Sequence, residues 1–214
     1  MCGRFALVAS SNDIEQEFGV SGVGPIARYN IAPSQEILTI VGNGNARVAM
    51  ASIWGLRRSD GGLLINIRSE TAAGRPHIRR LLEHGRCIIP ASGFYEWVGP
   101  KQPYFLRTHS GLMGFAGILV RERDPASGKL VLRSAILTRA ADPTLAHLHN
   151  RMPVIVPRAL YGDWLSPTFE GDDVLRHICA GGPIPLQWYR VSPRVGNVAN
   201  DDPSLVEPSP DSTR

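Results

Sequence analysis

The chain has 214 residues, of which 43% are hydrophobic, and its formal net charge is +4. This length supports one large domain or, less readily, two small ones. The first residues lack a secretory leader and no apolar run approaches a membrane span, so we expect neither a signal peptide nor a membrane partner.

Charge and cysteine content narrow the class of protein further. The last fourteen residues contain four carboxylates against one arginine, a net of −3, so the first 200 residues carry +7. We therefore predict a domain over 1–200 and an acidic, Pro/Ser-rich, partly disordered tail over 201–214. The positive domain favours a polyanion partner, although a GC-rich genome would also enrich Arg over Lys. Three scattered cysteines fit no disulfide framework, which predicts a reducing, cytoplasmic location.

The chain begins MCGRF, and Cys2 is the first residue with distinctive chemistry. Its small size favours removal of Met1, which would leave Cys2 with a free α-amine and a thiol, of reference pKa about 7.7–8.0 and about 8.5. Such a residue condenses with an aldehyde to an imine, and the thiol then closes a thiazolidine ring intramolecularly. We expect Arg4 to favour the thiolate and to hold an anionic substrate. A cysteine at this position can also be incidental.

The hydrophobic pattern predicts many short strands with helices inserted between them. A Gly-Asn-Gly-Asn run at 42–45 indicates a hairpin, and an Asp-Pro pair at 142–143 is typical of a helix start. The predicted strands are 3–9, 36–42, 46–56, 103–108, 111–123 and 130–141, with a strand pair or one bent strand over 86–98 and a final strand and turn over 188–198. The predicted helices are 12–19, 76–84, 142–149, 158–165 and 171–181, and 28–35 and 57–62 are predicted to be irregular. This pattern indicates an α+β single domain with a curved or barrel-like, mostly antiparallel sheet and flanking short helices.

Three polar residues stand out from their surroundings. Glu96 lies in an apolar run, where a carboxyl must be paired, exposed or protonated, and a raised pKa would suit proton transfer. Asn66 is followed at period two by Arg68 and Glu70, so one strand face is polar and forms either a solvated face or the wall of a cleft. His149 ends a predicted helix and is either a proton shuttle or structural. A surface position on an edge strand would explain Glu96 equally well.

Other candidate ligands and aromatic residues are less informative. His147 and His149 form a possible metal pair, but no third ligand has suitable spacing, so we expect no metal and no cofactor. Trp97 follows Glu96 and could stack on a base, whereas Trp164 and Trp188 are predicted to lie in the core.

Eight segments occur together and in order: MCGRF, RYNIAPSQ, WGL, NIRSET, CIIPASGFYEW, ILTRAA, HNRMPVIV and VSPRVGNVANDDPSLVEP. In this combination the chain resembles the SOS-response-associated peptidase family, the abasic-site-processing proteins found from bacteria to animals. The resemblance covers essentially the whole chain.

The resemblance implies recognition of abasic sites in single-stranded DNA and a covalent crosslink through N-terminal Cys2, with the ring-opened sugar aldehyde as the electrophile. Cys2 would be the nucleophile, Glu96 would assist ring opening and proton transfer at the sugar oxygen, and His149 would act as acid or base at the imine. Asn66 would orient the amine or the sugar. The crosslink would shield the lesion from strand cleavage during the DNA damage response.

The resemblance also implies a path for the DNA. Arg4, Arg68 and Arg151 match phosphate-binding positions, and the positions that line the path are Pro33, Trp97 and Thr138. The protein would act as a cytoplasmic monomer that joins the nucleoid when it is bound to DNA.

One segment departs from the family pattern. Relatives usually continue WGL into a loop with Pro and Trp that helps wedge against bases beside the lesion. Here the loop is shorter and contains Arg57 and Arg58, which predicts weaker stacking and stronger phosphate contact. A preference for single-strand/duplex junctions stays open, and Trp54 is not expected to act as the wedge.

Two other functions stay open from the sequence. One is an N-terminal-nucleophile cysteine peptidase or amidase, limited in its simplest form to self-removal of Met1, with His149 or the α-amine as the base. A lyase-type reaction at the same site is a further activity that the sequence leaves open. The other is a non-enzymatic DNA-binding module, which would leave Cys2, Glu96 and His149 unexplained.

Overall fold

The computed structural model describes residues 2–44, 46–99, 101–125 and 127–210. The strands are β1 Phe5–Ala9, β2 Ile26–Ile31, β3 Glu36–Asn43, β4 Ala46–Trp54, β5 Leu56–Arg57, β6 Leu63–Leu64, β7 Asn66–Arg68, β8 Arg86–Ala91, β9 Gly93–Val98, β10 Gln102–Thr108, β11 Met113–Arg123, β12 Leu130–Ala140, β13 Arg151–Pro153, β14 Ile155–Val156 and β15 Leu186–Arg190. The helices are α1 Ser11–Phe18, α2 Ser69–Ala72, α3 Pro76–His84, α4 Tyr161–Leu165 and α5 Gly171–Ala180, with 3-10 turns at Arg158–Leu160, Pro193–Gly196 and Pro203–Leu205.

Two large sheets and a small two-stranded sheet of β5 and β6 are present among the described residues. One large sheet has five antiparallel strands in the order β15-β10-β9-β1-β2. The other closes into a five-stranded ring, in which β12, β4, β3, β8 and β11 pair in turn and β11 returns to β12. Only the β12–β4 pair of this ring is parallel. The predicted α+β domain with a barrel-like, mostly antiparallel sheet is confirmed.

The last residues of β12 extend beyond the ring and are flanked by two further strands. Parallel β7 pairs with them on one side, where Arg68 lies opposite Thr138. Antiparallel β13 pairs with them on the other side, where Arg151 lies opposite Ala140. This three-stranded extension brings side chains from distant parts of the sequence to one end of the barrel.

Alternate side chains along the barrel strands belong to two different hydrophobic clusters. On β8, Ile88 packs in a cluster with helix residues such as Phe18 and Trp164, whereas Cys87 and Ile89 pack in a cluster with the five-stranded sheet. The second cluster is centred on Phe5, whose ring makes an edge contact with Trp54 at a centroid distance of 5.2 Å. Burial of large aromatic surfaces on both sides of Phe5 fixes the two sheets against each other.

Two predicted elements are corrected by the structure. Residues 26–31 form strand β2 rather than irregular chain, because the break imposed by Pro33 falls after the strand. The helix predicted over 142–149 is a series of turns, with i→i+3 hydrogen bonds to the carbonyls of Asp142 and Leu145. Asp142 does not cap a helix because its carboxylate forms an ion pair with Arg139 at 2.9 Å.

The C-terminal segment packs against the domain over the part that the structure describes. Asp201 accepts hydrogen bonds from the backbone N–H groups of Tyr29 (2.5 Å) and Asn30 (3.0 Å), and Leu205 is fully buried. Partial disorder was predicted after Asn200, but residues 201–210 cover the edge strand β2 and the outer face of its sheet. Residues 211–214 lie outside the described residues. No helix within the described part is long and apolar enough to cross a membrane.

Gly93 is required where β9 lies close to its neighbour β10. An added Cβ would collide with the Phe105 ring and would lie 2.7 Å from the carbonyl oxygen of Leu106. We expect Gly93→Ala to lower the free energy of unfolding by about 2–3 kcal/mol, since neither buried neighbour can move aside. Gly182→Ala is the matched control because its Cβ would meet nothing within 4 Å. Denaturant unfolding of both variants tests this, and equal stabilities would contradict the close approach.

Candidate active site

One group of predicted site residues lies at an end of the five-stranded sheet. The N–H of Tyr95 donates to the carbonyl of Arg4 at 3.0 Å, which extends the β1–β9 pairing towards the start of the chain. The backbone of Cys2 therefore lies beside the strand residues Glu96 and Trp97. Pro33 lies at the same end, because it follows β2, whose last residue pairs opposite Phe5.

The other group lies on the extension of the barrel. Asn66 and Arg68 come from β7, Thr138 comes from β12, and Arg151 comes from β13. His149 directly precedes β13. Pairing of these three strands explains why residues from three separate sequence segments lie together.

A hydrogen bond joins the two groups. The Nδ2 of Asn66 donates to the backbone carbonyl oxygen of Cys2 at 2.8 Å. The Oδ1 of Asn66 is buried and has no hydrogen-bond partner within the described residues. A buried acceptor without a partner is costly, so this oxygen is available to a donor that enters the site.

The thiol of Cys2 is fully buried and protonated. Burial raises its pKa well above the ordinary value, and the nearby charge of Glu96 raises it further. Arg4 was expected to favour the thiolate of Cys2. This expectation is wrong, because the Arg4 guanidinium is directed to other groups. It donates to Asn30 Oδ1 on β2 and to the carbonyl of Val195 in the 3-10 turn Pro193–Gly196, both at 2.7 Å. These bonds connect the start of the chain to both segments.

Glu96 is 4% exposed, and burial raises its pKa to about 7. The sequence left open whether it was a surface residue on an edge strand, and the structure excludes that alternative. A carboxyl with this pKa is half protonated near neutral pH, so it can both accept and donate a proton.

His149 is partly buried, and burial lowers its pKa, so the ring is neutral near pH 7. Its Nδ1 lies 3.0 Å from the N–H of Arg151 and 3.3 Å from the carbonyl oxygen of Arg151. In the neutral ring Nδ1 accepts from the N–H, which assigns the ring proton to Nε2. After protonation Nδ1 can donate to the carbonyl, so the backbone supports both charge states.

Arg151 is held by Glu70 in a two-pronged ion pair. Its Nη1 and Nη2 lie 2.6 and 2.9 Å from the two carboxylate oxygens, and the pair lowers the pKa of Glu70. Arg151 Nη2 also donates to the carbonyl and hydroxyl oxygens of Thr138, at 2.6 and 3.2 Å. Thr138 is fully buried, so its contact with the site passes through Arg151. The sequence analysis placed Glu70 on the polar strand face of Asn66 and Arg68 but gave it no role, and the structure places it on α2, directly after β7.

Arg68 is the exposed cation of the extension. Its side chain makes no hydrogen bond or ion pair with any described residue, in contrast to Arg4 and Arg151. The loop arginines, by contrast, lie in surface ion pairs. Arg57 pairs with Asp124 at 2.5 Å and Arg58 pairs with Asp60 at 2.6 Å, and their contact with phosphate stays a prediction.

Trp54 and Trp97 differ in accessibility. Trp54 is fully buried and its Nε1 donates to the carbonyl of Ile65, as expected of a residue without a wedge role. Trp97 is partly exposed beside Tyr95. Across residues 2–44, 46–99, 101–125 and 127–210, no group of three or more His, Cys, Asp or Glu side chains is placed to hold a metal ion.

Comparison with known sequences agrees with the resemblance carried by the eight segments. A family model described as SOS response associated peptidase (SRAP) matches residues 1–198. The chain is 33% identical over 223 residues to the Abasic site processing protein YoqW of Bacillus subtilis, covering 97% of this chain and 99% of that protein. It is also 33% identical over 228 residues to the Abasic site processing protein YedK of Escherichia coli, covering 97% and 100%.

Solved structures share the fold. A phage-related protein from Bordetella bronchiseptica superposes with a TM-score of 0.72 at 30% identity, covering 89% of this chain and 94% of that chain. A protein from Bacteroides thetaiotaomicron has a TM-score of 0.77 at 19% identity, covering 97% and 100%. At that identity the second likeness supports the fold alone.

The raised pKa of Glu96 makes stability depend on pH. The folded state binds more protons than the unfolded state between pH 4.5 and about 7, so stability falls as pH rises through this window. Relative to Glu96→Gln, which does not titrate, we expect the wild-type free energy of unfolding to fall by about 2–3 kcal/mol from pH 5 to pH 8. Chemical unfolding at several pH values measures the difference. Parallel curves for the two proteins would show that Glu96 has an ordinary pKa.

Proposed function

The chain belongs to the SOS response associated peptidase family, and we propose that it processes abasic sites in single-stranded DNA through a covalent bond to Cys2. Relatives that share 33% of its residues are named abasic site processing proteins. The observation that carries the proposal is the meeting of Cys2 with Asn66 and with a carboxyl of pKa about 7. This set of groups suits condensation with an aldehyde better than it suits attack by a thiolate.

The reaction requires a free α-amine on Cys2, and therefore removal of Met1. Met1 lies outside the described residues. While the Met1–Cys2 peptide bond exists, the nitrogen of Cys2 is an amide and cannot form an imine. Removal of Met1 is thus the step that activates the protein.

The chemistry proceeds by two bond-forming steps. The α-amine of Cys2 adds to C1′ of the ring-opened abasic sugar, and loss of one water leaves an imine. The Cys2 sulfur then adds to the same carbon, and the thiol proton passes to the nitrogen to complete the thiazolidine. The net reaction joins protein and DNA with loss of one water. A protonated thiol is adequate here because the second step is intramolecular and Glu96 can accept the proton.

The other groups have roles that follow from their bonding. The unpartnered Oδ1 of Asn66 would accept from the α-amine or a sugar hydroxyl while its Nδ2 holds the Cys2 carbonyl. Protonated Glu96 would donate to the ring oxygen of the sugar as the ring opens. His149 would donate from Nε2 to an oxygen of the sugar, and in its protonated state it would act as the acid at the imine.

We place the DNA backbone beside Arg68, the exposed cation next to Asn66. Arg151 would be oriented by Glu70 and Thr138 and would contact a phosphate through its remaining donors. The DNA path would pass Pro33 and Trp97, whereas Arg4 would act mainly as an anchor. The stable product would shield the lesion, since a sugar without a free aldehyde cannot undergo β-elimination.

A peptidase activity at the same site is the second candidate. Glu96 lies close enough to raise the pKa of the Cys2 thiol and could take its proton, as attack on an amide requires. Self-removal of Met1 is the simplest form of this activity. Release of a peptide by the wild-type protein in the absence of DNA would identify it, and a wild-type protein that releases no peptide would exclude it.

The thiazolidine requires the sulfur of Cys2. We expect the wild-type protein and an abasic single-stranded oligonucleotide to form a heat-stable adduct with the mass of the protein without Met1, plus DNA, less one water. Cys2→Ala keeps the amine but cannot close the ring, so its heat-stable adduct should fall to background. Denaturing gels and intact mass provide the measurement. Cys179→Ala is the control, and a stable adduct on Cys2→Ala would refute the ring.

Arg68 is expected to contribute one phosphate contact. Arg68→Ala should weaken binding to single-stranded DNA and reduce the slope of log K against log salt concentration by about 0.7. Arg121→Ala is the matched control, because Arg121 is also exposed and pairs opposite Leu132, about 20 Å along β12 from Thr138. Fluorescence anisotropy at several salt concentrations measures both slopes. An unchanged slope for Arg68→Ala would remove Arg68 from the DNA path.

A further inference from the structure

Trp188 is an exposed aromatic side chain near the candidate site. The sequence predicts it in the core, but 37% of its surface is accessible. It lies on β15, the edge strand of the five-stranded sheet. An indole held at an edge, next to groups that can bind a ligand, calls for a functional explanation.

The strand register places Trp188 on the same sheet face as Glu96. Trp188 lies opposite Leu106, and Leu106 lies opposite Phe94. Directly opposed side chains point to the same face, and so do residues two apart on one strand. Glu96 follows Phe94 by two residues, so its carboxyl and the Trp188 indole share that face.

Tyr104 and Arg190 lie between Glu96 and the edge of the sheet. Tyr104 pairs opposite Glu96, and Arg190 pairs opposite Tyr104. Arg190 Nε donates to the Tyr104 hydroxyl at 3.0 Å, and the guanidinium lies 6.0 Å from the ring centre. Adjacent strands are about 4.8 Å apart, so the backbone of Arg190 is about 10 Å from that of Glu96. About three stacked nucleotides of a DNA strand cover this distance.

His147 connects the same surface to His149. Its exposed ring makes an edge contact with Trp188 at a centroid distance of 5.7 Å. The turns that carry it are anchored by Leu145 and Leu148, which are buried in the hydrophobic cluster that includes Cys2. The position of the Trp188 ring is therefore tied to the segment that leads into the candidate site.

We propose that Tyr104, His147, Trp188 and Arg190, together termed the aromatic edge, bind a nucleotide about three positions along the strand from the abasic sugar. Its base stacks on Trp188, and its phosphate lies near Arg190. Aromatic rings interleaved with cations bind single strands of any sequence, because every base has a face that can stack. This inference rests on the proposed function for the lesion, but the stacking itself needs only an unpaired strand.

A second copy of the chain is a poorer occupant of this surface. A stable protein interface buries at least about 1,000 Å², whereas the aromatic edge consists of four side chains and includes a cation. Arg190 and the exposed ring of His147 would also have to be desolvated in such a contact. A nucleotide provides both an aromatic face and an anion.

The test is equilibrium binding of an undamaged single-stranded oligonucleotide, followed by fluorescence anisotropy. Trp188→Ala should raise the Kd about 5-fold or more, and Trp188→Phe should keep most of the affinity because a ring is retained. Phe169→Ala, which removes another exposed aromatic ring, should leave the Kd unchanged. Quenching of tryptophan fluorescence by the oligonucleotide should diminish in Trp188→Phe, which checks the contact in a folded protein.

A crosslinking measurement separates this inference from the proposed function. With abasic DNA, Trp188→Ala should need a higher DNA concentration for half-maximal adduct formation but should react at the wild-type rate at saturation. If wild-type adduct forms and Trp188→Ala has an unchanged half-maximal concentration, the aromatic edge is refuted and the function stands. If undamaged DNA binds through Trp188 and no adduct forms, the function is refuted and the aromatic edge stands. Dimerisation that Trp188→Ala abolishes, with DNA affinity unchanged, would assign the surface to self-association instead.

Discussion

The hydrogen bond from Asn66 to the carbonyl of Cys2 is the contact on which the candidate site depends. It joins the start of the five-stranded sheet to the extension of the barrel. The bond fixes the backbone of Cys2 without using either of its reactive groups. Because the donor is held in β7 by pairing with β12, the position of the Cys2 backbone is set by the barrel.

Burial then determines the charge state of each group around that bond. It raises the pKa of the thiol and of Glu96 and lowers the pKa of His149. Near pH 7 the thiol and the imidazole are neutral and the carboxyl is half protonated. Imine formation needs an uncharged amine, a proton donor and a proton acceptor, and does not need a thiolate. The electrostatics therefore favour aldehyde condensation over cysteine-protease chemistry.

The sequence predicted most of the fold because the strands carry clear hydrophobic patterns and turn signals. Strand 26–31 was missed because Pro33 was taken to interrupt the whole segment. A helix was wrongly predicted over 142–149 because an Asp-Pro pair at the start of a helix has the same local sequence as one in a turn. Glu96 and Asn66 could be picked out by their apolar surroundings. The Glu70–Arg151 pair could not, because its partners are 81 residues apart and meet only through β12. Trp188 was misassigned because an edge strand has the same composition as a central one.

Net charge is a poor guide to where this protein would bind DNA, because many of its arginines form ion pairs or hydrogen bonds with other residues of the chain. Arg57 and Arg58 pair with carboxylates, Arg4 donates to oxygens of Asn30 and Val195, and Arg151 is held by Glu70. Exposed ion pairs contribute at most about 1 kcal/mol each, so these contacts orient the cations more than they stabilise the fold. Cations such as Arg68, which makes no ion pair with a described carboxylate, would then be the ones that contact a phosphate. Arg68 follows Asn66 by two residues on β7, so among the described residues of the extension the one cation without a carboxylate partner is also near the Cys2 carbonyl.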